Sequence, residues 1–213
     1  MSPVAALYDI HGNLAALEAV LAEVPGDATI VVGGDVCAGG EQPSETLARL
    51  RSLGDRVRWV RGNADRELYP GEEGLAPPEI VEAARAGLSE DEIAFLHDLP
   101  ETQLIDDVLY CHASPRNDLD IFTERTPEDR LELLFEGLEV STVVCGHTHT
   151  QFERTVAGVR VINAGSVGMP HEEQRGAYWA LLDDGEVELR RAEYDPAPLR
   201  TVIDYPRPWW DGA

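Results

Sequence analysis

Four of the six histidines stand in short clusters, Asp9-Ile10-His11, Cys111-His112 and Gly146-His147-Thr148-His149, and each cluster follows an apolar run. Two more runs end in Gly33-Gly34-Asp35 and Gly62-Asn63. Imidazole nitrogens, carboxylates and an amide oxygen are ligands for divalent cations. With no thiolate in the set they suit Mn, Fe, Ni, Co or Zn better than Ca. Each motif has a plainer reading: Asp9 and Asp35 as turn or cap residues, Asn63 as a turn residue. His147 and His149 carry more, because side chains at i and i+2 of an extended segment face the same way. In open α/β sheets ligands bind outside the carboxyl ends of the strands, so residues that follow different strands meet in one crevice.

The elements needed for that placement are legible as apolar runs. Val4 to Tyr8, Thr29 to Val32, Val57 to Val60, Val108 to Cys111 and Val140 to Cys145 read as buried strands. Between the first of these lie helical patterns, Leu14, Leu17, Val20 and Leu21 behind an Asn13 N-cap, and Leu47, Leu50 and Leu53 behind Ser44. Ser89 with Glu92 forms a capping box, and Thr126 before Pro127 opens a further helix. Phe152 to Val156, Val159 to Asn163, Tyr178 to Leu182 and Val187 to Arg191 read as antiparallel hairpins. The first two thirds are therefore expected to be parallel α/β and the last third antiparallel β. No linker-like tract or repeat divides them, so residues 1–213 are expected to form one domain.

In this order, Asp9-x-His11, Gly34-Asp35, Gly62-Asn63, His112 and Gly146-His147-x-His149 resemble the signature of the calcineurin-like metallophosphoesterases, of the small bacterial phosphodiesterase type. The resemblance covers Val4 to about Gly168, including the Asn163-Ala164-Gly165-Ser166-Val167-Gly168 loop. It implies a four-layer α/β/β/α sandwich with two mixed β-sheets. It also implies two divalent metal ions, one on Asp9, His11, Asp35 and His149, the other on Asp35, Asn63, His112 and His147, with Asp35 as the bridge. Such a centre holds one water as hydroxide for in-line attack on a small phosphodiester, or on a phosphomonoester; the expected catalytic residues are Asp35 and Asn63. One departure is Gly62-Asn63-Ala64-Asp65 where many members have a histidine after the Asn, so an acid for the leaving oxygen is missing; His171 is a candidate substitute, with a lone surface histidine as its plainer reading. Asn13 and Arg116 are the expected substrate contacts, Asn13 being equally the N-cap of its helix and Arg116 equally a solvated surface residue.

Composition excludes other classes. All 17 basic residues are Arg, which removes Schiff-base lysines, Ser-Lys dyads and the P-loop. Forty acidic residues against 17 Arg give 17 − 40 = −23, which repels a polyanion, so no broad nucleic-acid surface is expected. No run is long enough to span a membrane, the N-terminus lacks a basic signal-peptide region, and Cys37, Cys111 and Cys145 suit a reducing compartment; a cytoplasmic location is expected. Two other functions compete. The family fold also serves as a protein-interaction scaffold with little activity, towards which Ala64 and the Trp209-Trp210 tail point. A zinc amidase would want a carboxylate general base beside the metal, which the Asp35 pattern does not call for.

Overall fold

The computed structural model describes residues 2–195; the Trp209-Trp210 tail lies outside the described residues. Ten strands form two five-stranded sheets. In the first, β1 (Val4–Leu7), β2 (Thr29–Val32) and β3 (Val57–Trp59) are parallel, and the hairpin of β9 (Ala177–Asp183) and β10 (Glu186–Ala192) adds antiparallel on the far side of β1. In the second, β5 (Val108–Cys111), β6 (Thr142–Cys145) and β8 (Val159–Asn163) are parallel, flanked antiparallel by β4 (Thr102–Ile105) and β7 (Phe152–Val156).

Side-chain alternation along the strands divides the interior into three apolar layers. Val4, Ala6 and Tyr8 face Tyr110, Val144 and Ile162 between the sheets, and the Tyr8 hydroxyl donates across to the Val144 carbonyl at 2.9 Å. Ala5 and Leu7 face outward onto α1 (Leu14–Glu23), α2 (Pro43–Arg51), α4 (Pro78–Ala86) and α5 (Glu90–His97). On the opposite side Val143, Cys145 and Val161 pack under α6 (Glu128–Phe135) through Leu131 and Phe135. This is the expected α/β/β/α sandwich of two mixed sheets. Among the described residues no helix is long and apolar enough to cross a membrane.

Several expectations need correction. The division into a parallel first part and an antiparallel last part fails, because the two C-terminal hairpins join different sheets and β8 runs parallel to β6. Strand β4 is absent from the apolar-run reading; Thr-Gln-Leu-Ile lies at a sheet edge with alternating exposure, so it needs no continuous apolar run. Asn63 begins a short helix, α3 (Asn63–Glu67), rather than a plain turn. Ser44 lies inside α2, whose start is set by Pro43 at its first position; the Ser44 hydroxyl donates instead to Glu92 at 2.7 Å, tying α2 to α5. Pro127, not Thr126, caps α6. The three cysteines are buried and free, and burial pushes their thiols up, which keeps them as inert core residues.

The Ser89 and Glu92 capping box is formed as expected. The Ser89 N–H holds the Glu92 carboxyl below its ordinary value, helped by the Ser44 and Ser89 hydroxyls. A depressed carboxyl contributes stability above its unfolded pKa and loses it as pH falls through the folded one. Ser89→Ala is therefore expected to cost about 1 kcal/mol in urea denaturation at neutral pH. The gap between wild type and Glu92→Gln should close on acidification below the ordinary glutamate range.

Candidate metal centre

Six loops meet at one end of the molecule, and each follows the carboxyl end of a strand belonging to one of the two parallel triplets. Asp9 and His11 follow β1, Asp35 follows β2, Asn63 follows β3, His112 follows β5, and His147 and His149 follow β6; the loop after β8 closes the group. That loop anchors the first one: the Ser166 hydroxyl donates to the Asp9 carbonyl at 2.8 Å, as does the Gly168 N–H at 3.0 Å. All seven expected ligand residues therefore lie together at this end of the sheets, and all but His147 are buried.

Their polar atoms fall into two groups, Asp9, His11 and His149 in one and Asp35, His112 and His147 in the other, with the atoms of each within 4.8 Å of one another. The Nε2 atoms of His11 and His149 face each other at 3.1 Å, and His149 Nε2 is 3.5 Å from Asp9 Oδ1. In the second group His112 Nε2 is 3.2 Å from both His147 Nδ1 and the Asn63 side-chain oxygen. Asp35 stands between the groups: Oδ1 is 3.5 Å from His112 Nε2, Oδ2 is 4.0 Å from His11 Nε2, and the Ala64 N–H donates to Oδ1 at 2.8 Å.

The rings are oriented from behind. The Nδ1 atoms of His11, His112 and His149 sit against the carbonyls of Ala38, Gly33 and Met169, which can only accept, so the proton belongs on Nδ1 and Nε2 points inward. The Asn63 NH2 donates to Glu67 at 2.8 Å, which turns its oxygen towards His112. Asp9 Oδ1 is buried with no hydrogen-bond donor and lies within 4.0 Å of the Nε2 atoms of His11, His112 and His149. Inward-facing nitrogens, convergent oxygens and an orphaned carboxylate oxygen fit divalent cations, and the donor set is of nitrogen and oxygen alone.

Electrostatics agree. Burial would raise Asp9, but His149, His112 and His11 outweigh it and hold it well below the ordinary range. Asp35 is raised by burial, against the pull of His112 and His11. Burial, reinforced by the charge on His112, depresses His147 to about 3, and burial with His149 lowers His11; their lone pairs are thus available at neutral pH. Burial opposes the charged forms of His112 and His149 as well, yet the carboxylates raise both. Protons and cations compete to neutralise the same two carboxylates.

Backbone strain is concentrated here. Eight non-glycine residues have positive φ among the described residues; Asp106, Ala157 and Asp184 are in hairpin turns, and the other five are Asp9, His11, Asp35, His147 and His149. Left-handed conformations cost roughly 1 kcal/mol or more each, and surrounding contacts must hold them. Gly62 permits one such contact, since a Cβ there would lie 2.2 Å from Asp35 Oδ1.

Two residues in this support escape the motif reading. Asp65 is fully buried and accepts three backbone N–H bonds, from Asp35 at 2.8 Å and Gly62 at 3.0 Å on one oxygen and from Val36 at 2.9 Å on the other. Burial and the Asp35 charge push it up to about 7, against the pull of these N–H groups. Glu67 is the second; its place at i+4 from Asn63 becomes informative only once a helix is read from Gly62. Of the expected substrate contacts, Asn13 caps α1 through the Ala16 N–H at 3.1 Å and donates to the Gly168 carbonyl at 3.0 Å and the Tyr194 hydroxyl at 3.1 Å, so both ends of its amide position the loop. Arg116 lies on the loop after His112, exposed beside a cavity. The His171 ring stacks on His149 with centroids 4.7 Å apart. Among the arginines near Asn63, Arg61 and Arg66 pair with acids, whereas Arg56 and Arg58 bond backbone carbonyls.

Asp65→Asn keeps the shape but turns an NH2 towards at least one N–H donor. It should cost about 1–3 kcal/mol in chemical denaturation and weaken Mn binding roughly 10–100-fold by titration, since the loops of Asp35 and Asn63 lose their shared anchor.

Three similarities bear on this site. An uncharacterized protein of Methanocaldococcus jannaschii is 28% identical over 91% of this chain and 88% of its own length. A symmetrical bis(5'-nucleosyl)-tetraphosphatase of Pectobacterium carotovorum is 36% identical over 107 residues, which make up 47% of this chain and 38% of that enzyme. A metallophosphoesterase of Sphaerobacter thermophilus shares the fold, with a TM-score of 0.79 at 24% identity over 92% of this chain and 90% of that one. The model of the calcineurin-like phosphoesterase superfamily domain matches residues 3–184, and with its ligand-bearing loops at the ends of two parallel strand triplets the chain belongs to that superfamily.

Proposed function

We propose that this protein hydrolyses a small phosphate ester, a phosphodiester in preference to a monoester, at two divalent cations. Asp9, His11, Asp35 and His149 would hold one, and Asp35, Asn63, His112 and His147 the other. The observation that carries this reading is Asp35, whose two oxygens face the two groups. Bound there, the cations supply a water activated at neutral pH and Lewis-acid polarisation of the phosphoryl oxygens.

The chain's own residues supply position and field. Asp35 is aligned by the Ala64 N–H, and carbonyl-anchored imidazoles fix where a phosphoryl group can sit. Asn63, its amide turned by Glu67, is a neutral ligand that leaves the second group less anionic than a carboxylate in its place would. No side-chain nucleophile is required. The convergence of all seven residues also favours an enzyme over a protein-interaction scaffold, which needs none of them. The Pectobacterium relative bears the name of an enzyme that acts on a phosphate anhydride of nucleosides, which is consistent with a small soluble ester or anhydride as substrate.

Asp35→Asn and His149→Ala are each expected to lower turnover of bis(p-nitrophenyl) phosphate with Mn more than about 100-fold, with unchanged circular dichroism and lowered metal content by elemental analysis. Near-normal turnover in either would remove the two-cation reading. Ala64 presents a methyl group where an acid would protonate the leaving oxygen, so p-nitrophenyl diesters should outpace alkyl diesters. Equal rates with chemistry limiting would point to another acid, to be sought first with His171→Ala.

A further inference from the structure

The cavity next to the metal centre carries the inference. It has a volume of 160 Å³, lies at the seam between the ends of β3 and β4, and has His112 in its wall. Arg61, Arg66 and Arg116 line it together with Glu101 and Asp118. Two of the three guanidinium groups are already neutralised. Arg66 pairs with Asp118 at 2.8 Å and with Glu72 at 3.2 Å, and Arg61 pairs with Glu101 at 2.9 Å while donating to the His97 carbonyl at 2.8 Å. The Arg116 side chain has neither an acidic partner nor a carbonyl among the described residues. Its backbone is nevertheless held. The Ser114 hydroxyl accepts from the N–H groups of Arg116 at 3.1 Å and Asn117 at 3.3 Å, and the Asn117 side-chain oxygen accepts from Leu119 and Asp120 at 2.9 Å each.

An ordered loop thus presents one uncompensated cation beside His112, in a chain whose formal charge is −23. In such a chain the surroundings repel an anionic substrate, and a free guanidinium is worth most where a second negative group of that substrate must be received. We propose that this cavity is a subsite for a second phosphoryl group, adjacent to the one attacked, with Arg116 as its specificity-determining residue. The substrate class is then a phosphate ester that carries at least two linked phosphoryl groups, such as a nucleoside diphosphate or a longer chain. A group held at His112 and a group held by Arg116 are neighbours, because His112 is itself part of the cavity wall. The inference rests on the proposed function, since it assigns the other phosphoryl group to the metal centre.

The test compares AMP with ADP, which differ by one phosphoryl group, by calorimetric titration with Mn in excess over nucleotide. Wild type should bind ADP about tenfold or more tightly relative to AMP, Arg116→Ala should bring the ratio near unity, and Arg116→Lys, which keeps charge but not the two-pronged geometry, should fall between. The same three proteins are assayed on bis(p-nitrophenyl) phosphate. Equal affinities for AMP and ADP in wild type, or a ratio untouched by Arg116→Ala, with turnover present, would overturn the subsite alone. Binding of neither nucleotide together with no turnover would overturn the proposed function and the subsite with it.

Discussion

Two carboxylates, Asp9 and Asp35, are buried where the ends of two sheets meet, and an unpaired buried charge costs several kcal/mol even after the protein relaxes around it. Neutralising that pair is the constraint on which the rest of this end of the molecule depends. The protein surrounds it with four imidazoles and an amide oxygen, and these converge only because six strand ends do. The antiparallel strands are all at the outside: β9 and β10 on one sheet, β4 and β7 on the other. They cover the sheet and supply apolar area without interrupting the ends that carry the ligands.

Convergence has a structural cost, visible in the backbone. Five of the candidate ligand residues are left-handed, and Gly62 brings a main chain into contact with the Asp35 carboxylate. These conformations are held by contacts from other loops: three N–H groups on Asp65, a serine hydroxyl on the Asp9 carbonyl, and carbonyls behind three histidine rings. Much of the polar interior therefore serves to support the ligands. The apolar layers, by contrast, need only volume and alternation: of the largest buried side chains Trp179 and Tyr110 lie in strands, and Tyr8 directly follows β1, just before Asp9.

The convergence of the candidate ligand residues is legible because each stands within a few residues of the end of an apolar run, which marks both a strand and its end. His112 after Val108 to Cys111 and His149 after Val140 to Cys145 are examples, and the pairing of Tyr178 to Leu182 with Val187 to Arg191 is equally plain. Which sheet each hairpin joined was not legible, since β7 with β8 and β9 with β10 have similar local patterns and differ only in long-range partners. Strand β4 was lost because an edge strand exposed on alternate residues does not look buried. Asp65 and Glu67 carry no such signal, because their partners are backbone N–H groups and an amide, whose positions no spacing rule gives before the loops are placed. Arg116 was recognisable as a cation near His112, but its lack of an acidic partner, which distinguishes it from Arg61 and Arg66, is a property of the folded chain.

The central claim is that these two groups of nitrogen and oxygen atoms hold two cations with Asp35 between them. Anomalous diffraction from crystals grown with Mn tests it most directly. Two peaks are predicted, one within ligand distance of Asp9, His11 and His149, the other of Asn63, His112 and His147, each also reached by an oxygen of Asp35. No peak at this end of the sheets, or a single peak that Asp35 does not touch, would contradict the account.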